Sequence, residues 1–92
     1  MNVREFGERW ARLGDRQRQA VRLRCGGKTN REVAELMFVQ ENSVRNLLSP
    51  AFRTIGIETS GDRAPVVCYY LGAMDVVEKI RAREPALLET DA

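Results

Sequence analysis

The chain has no histidine and only two cysteines among its 92 residues. Without histidine, both the commonest side-chain general base and the commonest metal ligand are missing. The sequence also has no Cys-x-x-Cys pair, no Gly-rich phosphate loop and no Gly-x-Ser-x-Gly turn. These absences favour a protein that is not an enzyme and that uses no metal or cofactor.

Long apolar runs are also missing. No segment approaches the roughly 18 apolar residues of a membrane span, and the charged N-terminus lacks the apolar core of a signal peptide. Cys25 and Cys68 each lie inside an apolar helical pattern, 43 residues apart. Because both fit the pattern of small buried hydrophobic residues, we expect free thiols. The sequence therefore predicts a soluble, cytoplasmic protein with no membrane partner.

Basic residues are concentrated in one segment. Residues 9–31 contain eight basic residues and a single acid, although the net charge of the whole chain is only +2. Arginine supplies 13 of the 15 basic residues, and its planar fork suits phosphate and guanine edges. This pattern is typical of a protein with a polyanionic partner, but a solvated arginine-rich helix face would have the same count.

Apolar residues recur at helical spacing along most of the chain, which has room for a single domain. The predicted helices cover about residues 2–12, 15–25, 29–38, 41–55 and 65–83. Gly26 and Gly27 end the second helix and Gly56 ends the fourth, because glycine readily takes the left-handed conformation. Trp10 is interpreted as a core residue of the first helix. The fold class is therefore all-α.

Two local signals shape the central helices. Thr29 and Glu32 form a capping box, in which each side chain accepts a hydrogen bond from the backbone N–H of the other. Gln40 is a poor cap for the next helix. Pro50 lies inside that helix, where it lacks an amide and presses on the carbonyl of Asn46. We therefore expect a bend at Pro50, or an early end followed by a second short turn.

A scaffold helix, a short capped helix, a tight turn and a longer helix are the parts of a helix-turn-helix. The helix N-termini can face the DNA backbone, where free amides favour phosphate. The outer face of the longer helix can then face base edges. That face carries Glu41, Asn42, Arg45, Asn46, Ser49 and Arg53.

Residues 13–63 resemble the LuxR/GerE-type helix-turn-helix family. The most specific run is Gly27-x-Thr-Asn-Arg-Glu-Val-Ala34, which is followed by Ser43-Val-Arg-Asn46 and Ile55-Gly-Ile57. The resemblance implies the four-helix bundle of that family, here with an extra short N-terminal helix and a long C-terminal helix. The domain would comprise an N-terminal helix (1–12), a helix-turn-helix core (13–63), a dimerisation helix (64–84) and a frayed tail (85–92).

The resemblance also implies a role in transcription and a set of DNA-contacting residues. The base-reading residues would be Arg45, Asn46 and Ser49. The backbone-contacting residues would be Lys28, Thr29, Asn30, Arg31, Ser43 and Arg53. Arginine can fork onto guanine and asparagine onto adenine, while phosphate contacts set the register of the protein on the duplex.

The chain departs from the family pattern at several positions. Leu47 stands where the family often has histidine, and Pro50 stands where it frequently has asparagine. Further departures are Gly14, Gln17, Gln19 and Gln40. Whether Leu47 and Pro50 abolish DNA binding is left open by the sequence.

The last helix resembles the family's dimerisation helix and carries a long apolar stripe. We expect a homodimer on double-stranded DNA, with half-sites about one helical turn apart. Its interface would contain Val67, Leu71, Met74 and Val77. With about twelve residues before the helix-turn-helix, we expect no receiver or ligand-binding domain in this chain.

Two other hypotheses remain open. One is an interaction module that binds RNA polymerase or another transcription factor through the reading helix or the C-terminal helix. The other is a promoter-binding fragment similar to a sigma factor, which uses a related helix-turn-helix.

Overall fold

Five α-helices make up the part of the chain that the computed structural model describes, residues 1–57 and 62–83. They are α1 (Val3–Trp10), α2 (Asp15–Cys25), α3 (Asn30–Met37), α4 (Glu41–Ile55) and α5 (Ala64–Arg83). These residues include no strand, so the all-α prediction is confirmed. None of these helices combines the length and apolar character needed to cross a membrane. The predicted C-terminal tail, 85–92, lies outside the described residues.

Side chains cap the starts of α3 and α1, and the cap of α3 is the one that the sequence predicts. The Glu32 amide donates to the Thr29 hydroxyl at 3.2 Å, and the Thr29 amide donates to the Glu32 carboxylate at 3.1 Å. α1 begins after Asn2, whose side-chain oxygen accepts from the amide of Glu5 at 2.8 Å. These local bonds satisfy amides that have no partner within the helix.

Helix α4 continues through Pro50 to Ile55, so the early end that we considered does not occur. A proline inside a helix costs about 3 kcal/mol, because it removes one hydrogen bond and crowds a carbonyl. Ala51 and Ile55, which follow it, are fully buried. Burial of an isoleucine side chain contributes roughly 1.5–3 kcal/mol. Packing of the last turn therefore offsets much of the cost of the proline.

The core lies between two groups of helices. On one side, α2, α3 and α4 enclose the fully buried Val21, Val33 and Val44. On the other side, α1 and α5 close the core with aromatic residues. The Phe6 ring is fully buried and stacks with Trp10 at a centroid distance of 6.0 Å and with Tyr70 at 5.6 Å. Trp10 is therefore a core residue, as the sequence predicts.

The structure places most of the residues predicted for the dimer interface inside the single chain. Val67, Leu71 and Met74 are buried in the core of the single chain, where α1 packs against α5, and only Val77 is exposed. Helix α5 has a second apolar stripe on its opposite side, which is exposed. It contains Tyr69, Val76 and Ile80. The sequence pattern could not separate the two stripes, because apolar residues surround much of this helix.

The structure also corrects the prediction of free thiols. Cys25, the last residue of α2, forms a disulfide with Cys68 of α5, and their Cα atoms are 5.3 Å apart. Sequence distance concealed this pairing, because only the packing of α2 against α5 brings the two residues together. In the chain-entropy treatment, a disulfide that closes a 43-residue separation stabilises a fold by about 4 kcal/mol.

Candidate nucleic-acid interface

Helix α4 has two distinct faces. Its inner face is buried and consists of Val44, Leu48, Ala51 and Ile55. Its outer face is exposed and consists of Asn42, Arg45, Asn46, Ser49 and Arg53. At 100° per residue these five positions fall within an arc of about 100°, in a stripe about 16 Å long at a rise of 1.5 Å per residue. We call these five residues the α4 stripe.

All three predicted base-reading residues, Arg45, Asn46 and Ser49, lie in the α4 stripe. The Arg45 guanidinium is 3.5 Å from the carboxylate of Glu41, one helical turn earlier, and both side chains are largely exposed. An exposed pair at this spacing is worth only a few tenths of a kcal/mol. Arg45 can therefore leave Glu41 for a stronger acceptor at little cost.

The predicted backbone-contacting residues lie mainly at the start of α3. Lys28, Thr29 and Arg31 are exposed, and Asn30 is half-buried. The Thr29 hydroxyl accepts a hydrogen bond from the Glu32 amide within the capping box. Arg31 is 3.5 Å from Glu35 in an exposed pair. The oxygen Oδ1 of Asn30 is buried without a hydrogen-bond partner.

The other two predicted backbone contacts are on α4. Ser43 is half-buried in the first turn, and its amide donates to the carbonyl of Gln40 at 2.9 Å. Arg53 is exposed near the end of the helix. Arg53 is therefore part of the α4 stripe, whereas Ser43 lies beside it.

The two departures from the family pattern lie off the α4 stripe. Leu47 is half-buried and packs against the core, and Pro50 is also half-buried. Both positions are rotated by roughly 80–140° from the centre of the stripe at 100° per residue. An apolar side chain at position 47 therefore extends the core rather than interrupting the polar surface.

The sequence analysis missed two features of the turn between α3 and α4. Phe38 is left-handed, with φ at +57°, and its side chain is 94% exposed. The signal was its position just after α3, where glycine is the usual residue. The second feature is Arg16 of α2, whose guanidinium donates to the carbonyl of Met37 at 3.4 Å. That contact places positive charge at the C-terminus of α3, where the helix dipole favours it.

One carboxyl in this region has a shifted pKa. The Thr29 amide, followed by the Thr29 hydroxyl bond and the charge of Lys28, lowers the pKa of Glu32 below its ordinary value of 4.5. The capping box is therefore formed by an ionised glutamate at neutral pH. In the part of the chain that the structure describes, no three His, Cys, Asp or Glu residues come together in a way that could hold a metal ion.

No protein-family model matches the chain, and neither the curated proteins nor the solved structures contain a match.

Proposed function

We propose that this chain is a DNA-binding transcription regulator that places α4 in the major groove. The observation that carries the proposal is the α4 stripe, which presents arginine and short polar side chains along one exposed face while the opposite face anchors the helix in the core. The major groove of B-DNA is about 12 Å wide and admits one α-helix. The resemblance to the LuxR/GerE-type helix-turn-helix supports the same assignment.

Base recognition would depend on Arg45 and Asn46. A guanidinium can donate two hydrogen bonds to O6 and N7 of guanine, and an amide can pair with N6 and N7 of adenine. Each such pair discriminates against a wrong base by roughly 1–3 kcal/mol. Ser49, one turn further along the stripe, can donate to or accept from a base edge.

Phosphate contacts would come from the N-terminus of α3. Lys28 and Arg31 supply positive charge there. The first backbone amides of α3 point out of the helix N-terminus, which is the positive end of the helix dipole. These contacts would fix the position of the protein on the duplex without reading sequence.

A homodimer is part of the proposal, with the interface moved to the outer stripe of α5. Tyr69 is 73% exposed, Val76 55% and Ile80 44%. Three large apolar side chains on one helix face are a surface that a second copy can cover by isologous pairing. The two reading helices would then meet half-sites on one side of the DNA.

An alternative is an interaction module that binds RNA polymerase or another regulator. The observation that favours it is the apolar surface near the α3–α4 turn, where Phe38 is 94% exposed and Leu36 is 51% exposed. Exposed apolar side chains at the edge of a binding face are typical of protein contacts.

The decisive experiment is selection of binding sites from a randomised pool of DNA duplexes at about 50–100 mM salt, where phosphate contacts are strong. We expect enrichment of a two-fold symmetric motif with half-sites about one helical turn apart. If no motif is enriched and the protein captures a polymerase subunit equally well with Arg45→Ala, the interaction module replaces the DNA-binding proposal.

A further inference from the structure

The Cys25–Cys68 disulfide lies near the surface, at the junction of α2 and α5. Both cysteines are half-buried and line a cavity of about 260 Å³. The cavity is also lined by Arg22, Gly26, Leu71, Gly72 and Asp75. A water molecule occupies about 30 Å³ in the liquid, so the cavity has room for the thiol end of a small molecule.

Gly72 is one of the residues that line this cavity. It lies inside α5, one helical turn after Cys68, and a Cβ atom added there would meet no atom within 4 Å. Packing therefore does not require glycine at this position, although glycine inside a helix costs about 1 kcal/mol relative to alanine. Its missing side chain leaves the Cys68 side of the cavity uncovered.

Arg22 places a positive charge on the cavity wall. Its guanidinium donates two hydrogen bonds to the carboxylate of Asp75, at 3.1 and 3.3 Å, and lies 5.4 Å from the centre of the Trp10 ring. These contacts hold the guanidinium in place beside the disulfide. A fixed cation attracts an approaching thiolate, although Asp75 offsets part of that attraction.

The disulfide is also next to the segment proposed to contact phosphate. Cys25 is the last residue of α2, and Gly27 has a φ of +89° in the turn that follows it. Hydrogen bonds hold this turn: the Gly27 amide donates to the Arg24 carbonyl at 3.2 Å, the Lys28 amide donates to the Leu23 carbonyl at 3.3 Å, and the Arg24 guanidinium donates to the Lys28 carbonyl at 3.1 Å. We call residues 26–31, which comprise the turn and the first two residues of α3 and include Lys28 and Arg31, the α2–α3 loop.

We propose that Cys25 and Cys68 are a reversible redox site that controls the order of the α2–α3 loop. In the oxidised chain, the disulfide fixes the end of α2 to α5, so the loop starts from a fixed point. In the reduced chain, the hydrogen bonds of the turn and the Thr29–Glu32 capping box are left to hold the loop. The consequence for DNA rests on the proposed function: a less ordered loop has to be ordered on binding, which weakens the affinity.

The reaction is thiol–disulfide exchange with a small thiol such as glutathione. Its thiolate attacks one sulfur of the disulfide, which forms a mixed disulfide and releases the other cysteine as a thiolate. A second glutathione thiolate then attacks the mixed disulfide, releases the remaining cysteine and leaves as oxidised glutathione. Two electrons pass from two glutathione molecules to the protein, and each released thiolate takes up a proton from water.

The test equilibrates the full chain in glutathione buffers of stepped composition and measures three quantities. Alkylation of free thiols followed by mass spectrometry gives the redox state, amide hydrogen exchange gives the order of residues 26–31, and fluorescence anisotropy gives the affinity for the selected duplex. On reduction we expect about tenfold faster exchange in the loop, beside the increase that loss of the crosslink causes in the slowest core amides, and about tenfold weaker DNA binding. The double variant Cys25→Ser, Cys68→Ser should match the reduced chain in every buffer.

The variant Gly72→Leu gives a further check, because a side chain there should cover the cavity. We expect its disulfide to form normally but to react with glutathione several times more slowly than that of the parent chain. A disulfide that resists glutathione, or faster exchange that appears only in the slowest core amides, which exchange through global unfolding, would show a structural crosslink and overturn the redox proposal. Unchanged loop exchange after reduction would overturn it as well.

The experiment distinguishes failure of the redox site from failure of the proposed DNA-binding function. If exchange in the loop responds to reduction but neither redox state binds DNA, the redox site stands and the proposed function fails. If both states bind DNA with the same affinity while loop exchange differs, the control of DNA binding by this site is wrong.

Discussion

The guanidinium of Arg9 donates a hydrogen bond of 2.7 Å to the carbonyl oxygen of Ile55, 46 residues further along the chain. Ile55 is the last residue of α4, so Arg9 satisfies a carbonyl that has no partner within the helix. The positive charge also complements the dipole at that end of α4. Through this contact, the N-terminal helix α1 supports the helix that carries the proposed reading residues.

Gly56 makes this contact possible, and its substitution by alanine should be costly. Gly56 has a φ of +75°, and a Cβ atom there would lie 2.8 Å from the Arg9 guanidinium. The left-handed conformation costs a non-glycine residue about 1–2 kcal/mol, and the displaced Arg9 adds to that cost. We expect Gly56→Ala to lower the free energy of unfolding by about 2–3 kcal/mol, measured by urea denaturation.

Two other glycines provide matched controls. Gly27→Ala introduces the same backbone cost without a clash, because nothing lies within 4 Å of its added Cβ, and it should cost about 1 kcal/mol. Gly72→Ala, inside α5, should stabilise the chain by about 0.5–1 kcal/mol. Equal losses at positions 56 and 27 would contradict a stabilising role for the Arg9 contact.

Phe38 should be replaceable by glycine with a gain in stability. Its backbone is left-handed and its side chain is 94% exposed, so the ring contributes little burial to the fold. Phe38→Gly should raise the free energy of unfolding by about 0.5–1 kcal/mol, whereas Phe38→Ala retains the strain and should leave it nearly unchanged. If Phe38→Gly is less stable than the parent chain, the ring has a contact outside the single chain.

The capping box of α3 should give the stability a specific pH dependence. The pKa of Glu32 is lowered in the folded chain by the Thr29 hydrogen bonds. Its contribution is therefore present above the ordinary value of 4.5 and is lost as the pH falls through the lower folded pKa. The temperature of thermal unfolding of Glu32→Gln should be lower than that of the parent chain at neutral pH, and the two temperatures should converge in acid.

The comparison for this effect is Glu35→Gln. Glu35 forms an exposed ion pair with Arg31 on the same helix and takes no part in the cap. Such pairs contribute little to stability, so this variant should follow the parent chain across the pH range. A parallel shift of Glu32→Gln at every pH would contradict the role of the ionised carboxylate.

Two arginines should separate base reading from phosphate binding. Arg45→Ala removes one of the two cations of the α4 stripe and should abolish preference for the selected site while leaving weak general binding. Arg31→Ala should weaken binding to all duplexes alike and reduce the salt slope by about one. Titrations of specific and scrambled duplexes at several salt concentrations measure both effects. If Arg45→Ala weakens binding to specific and scrambled duplexes equally, Arg45 contacts the DNA backbone rather than the bases.

The outer stripe of α5 should control the oligomeric state. Val76→Arg places a charge in the middle of the stripe and should convert a dimer to a monomer in light scattering. Glu78→Arg is the matched control, because two residues along a helix turn the side chain by about 200°. Loss of the dimer in both variants, or in neither, would rule out the outer stripe as the interface. Leu71→Asp is unsuitable for this purpose because Leu71 lies in the core.

Local features of this chain were predictable from the sequence because they depend on neighbouring residues. The Thr29–Glu32 capping box and the glycine ends of α2 and α4 involve residues within a few positions of each other. The inner face of α4 repeats at three and four, so its exposed stripe followed from the same periodicity. The residues of the proposed reading surface could therefore be predicted from the sequence alone.

Tertiary packing decided which face of α5 is buried, because the apolar periodicity of this helix left that question open. Apolar residues surround much of α5, and only the docking of α1 and α2 determined that Val67, Leu71 and Met74 are buried while the opposite stripe is exposed. The disulfide between Cys25 and Cys68 and the contact of Arg9 with Ile55 join residues 43 and 46 positions apart. No local rule relates residues at that distance, because their approach depends on how the helices pack. The sequence therefore determined which helices form, and only the fold determined which of their faces remain available to a partner.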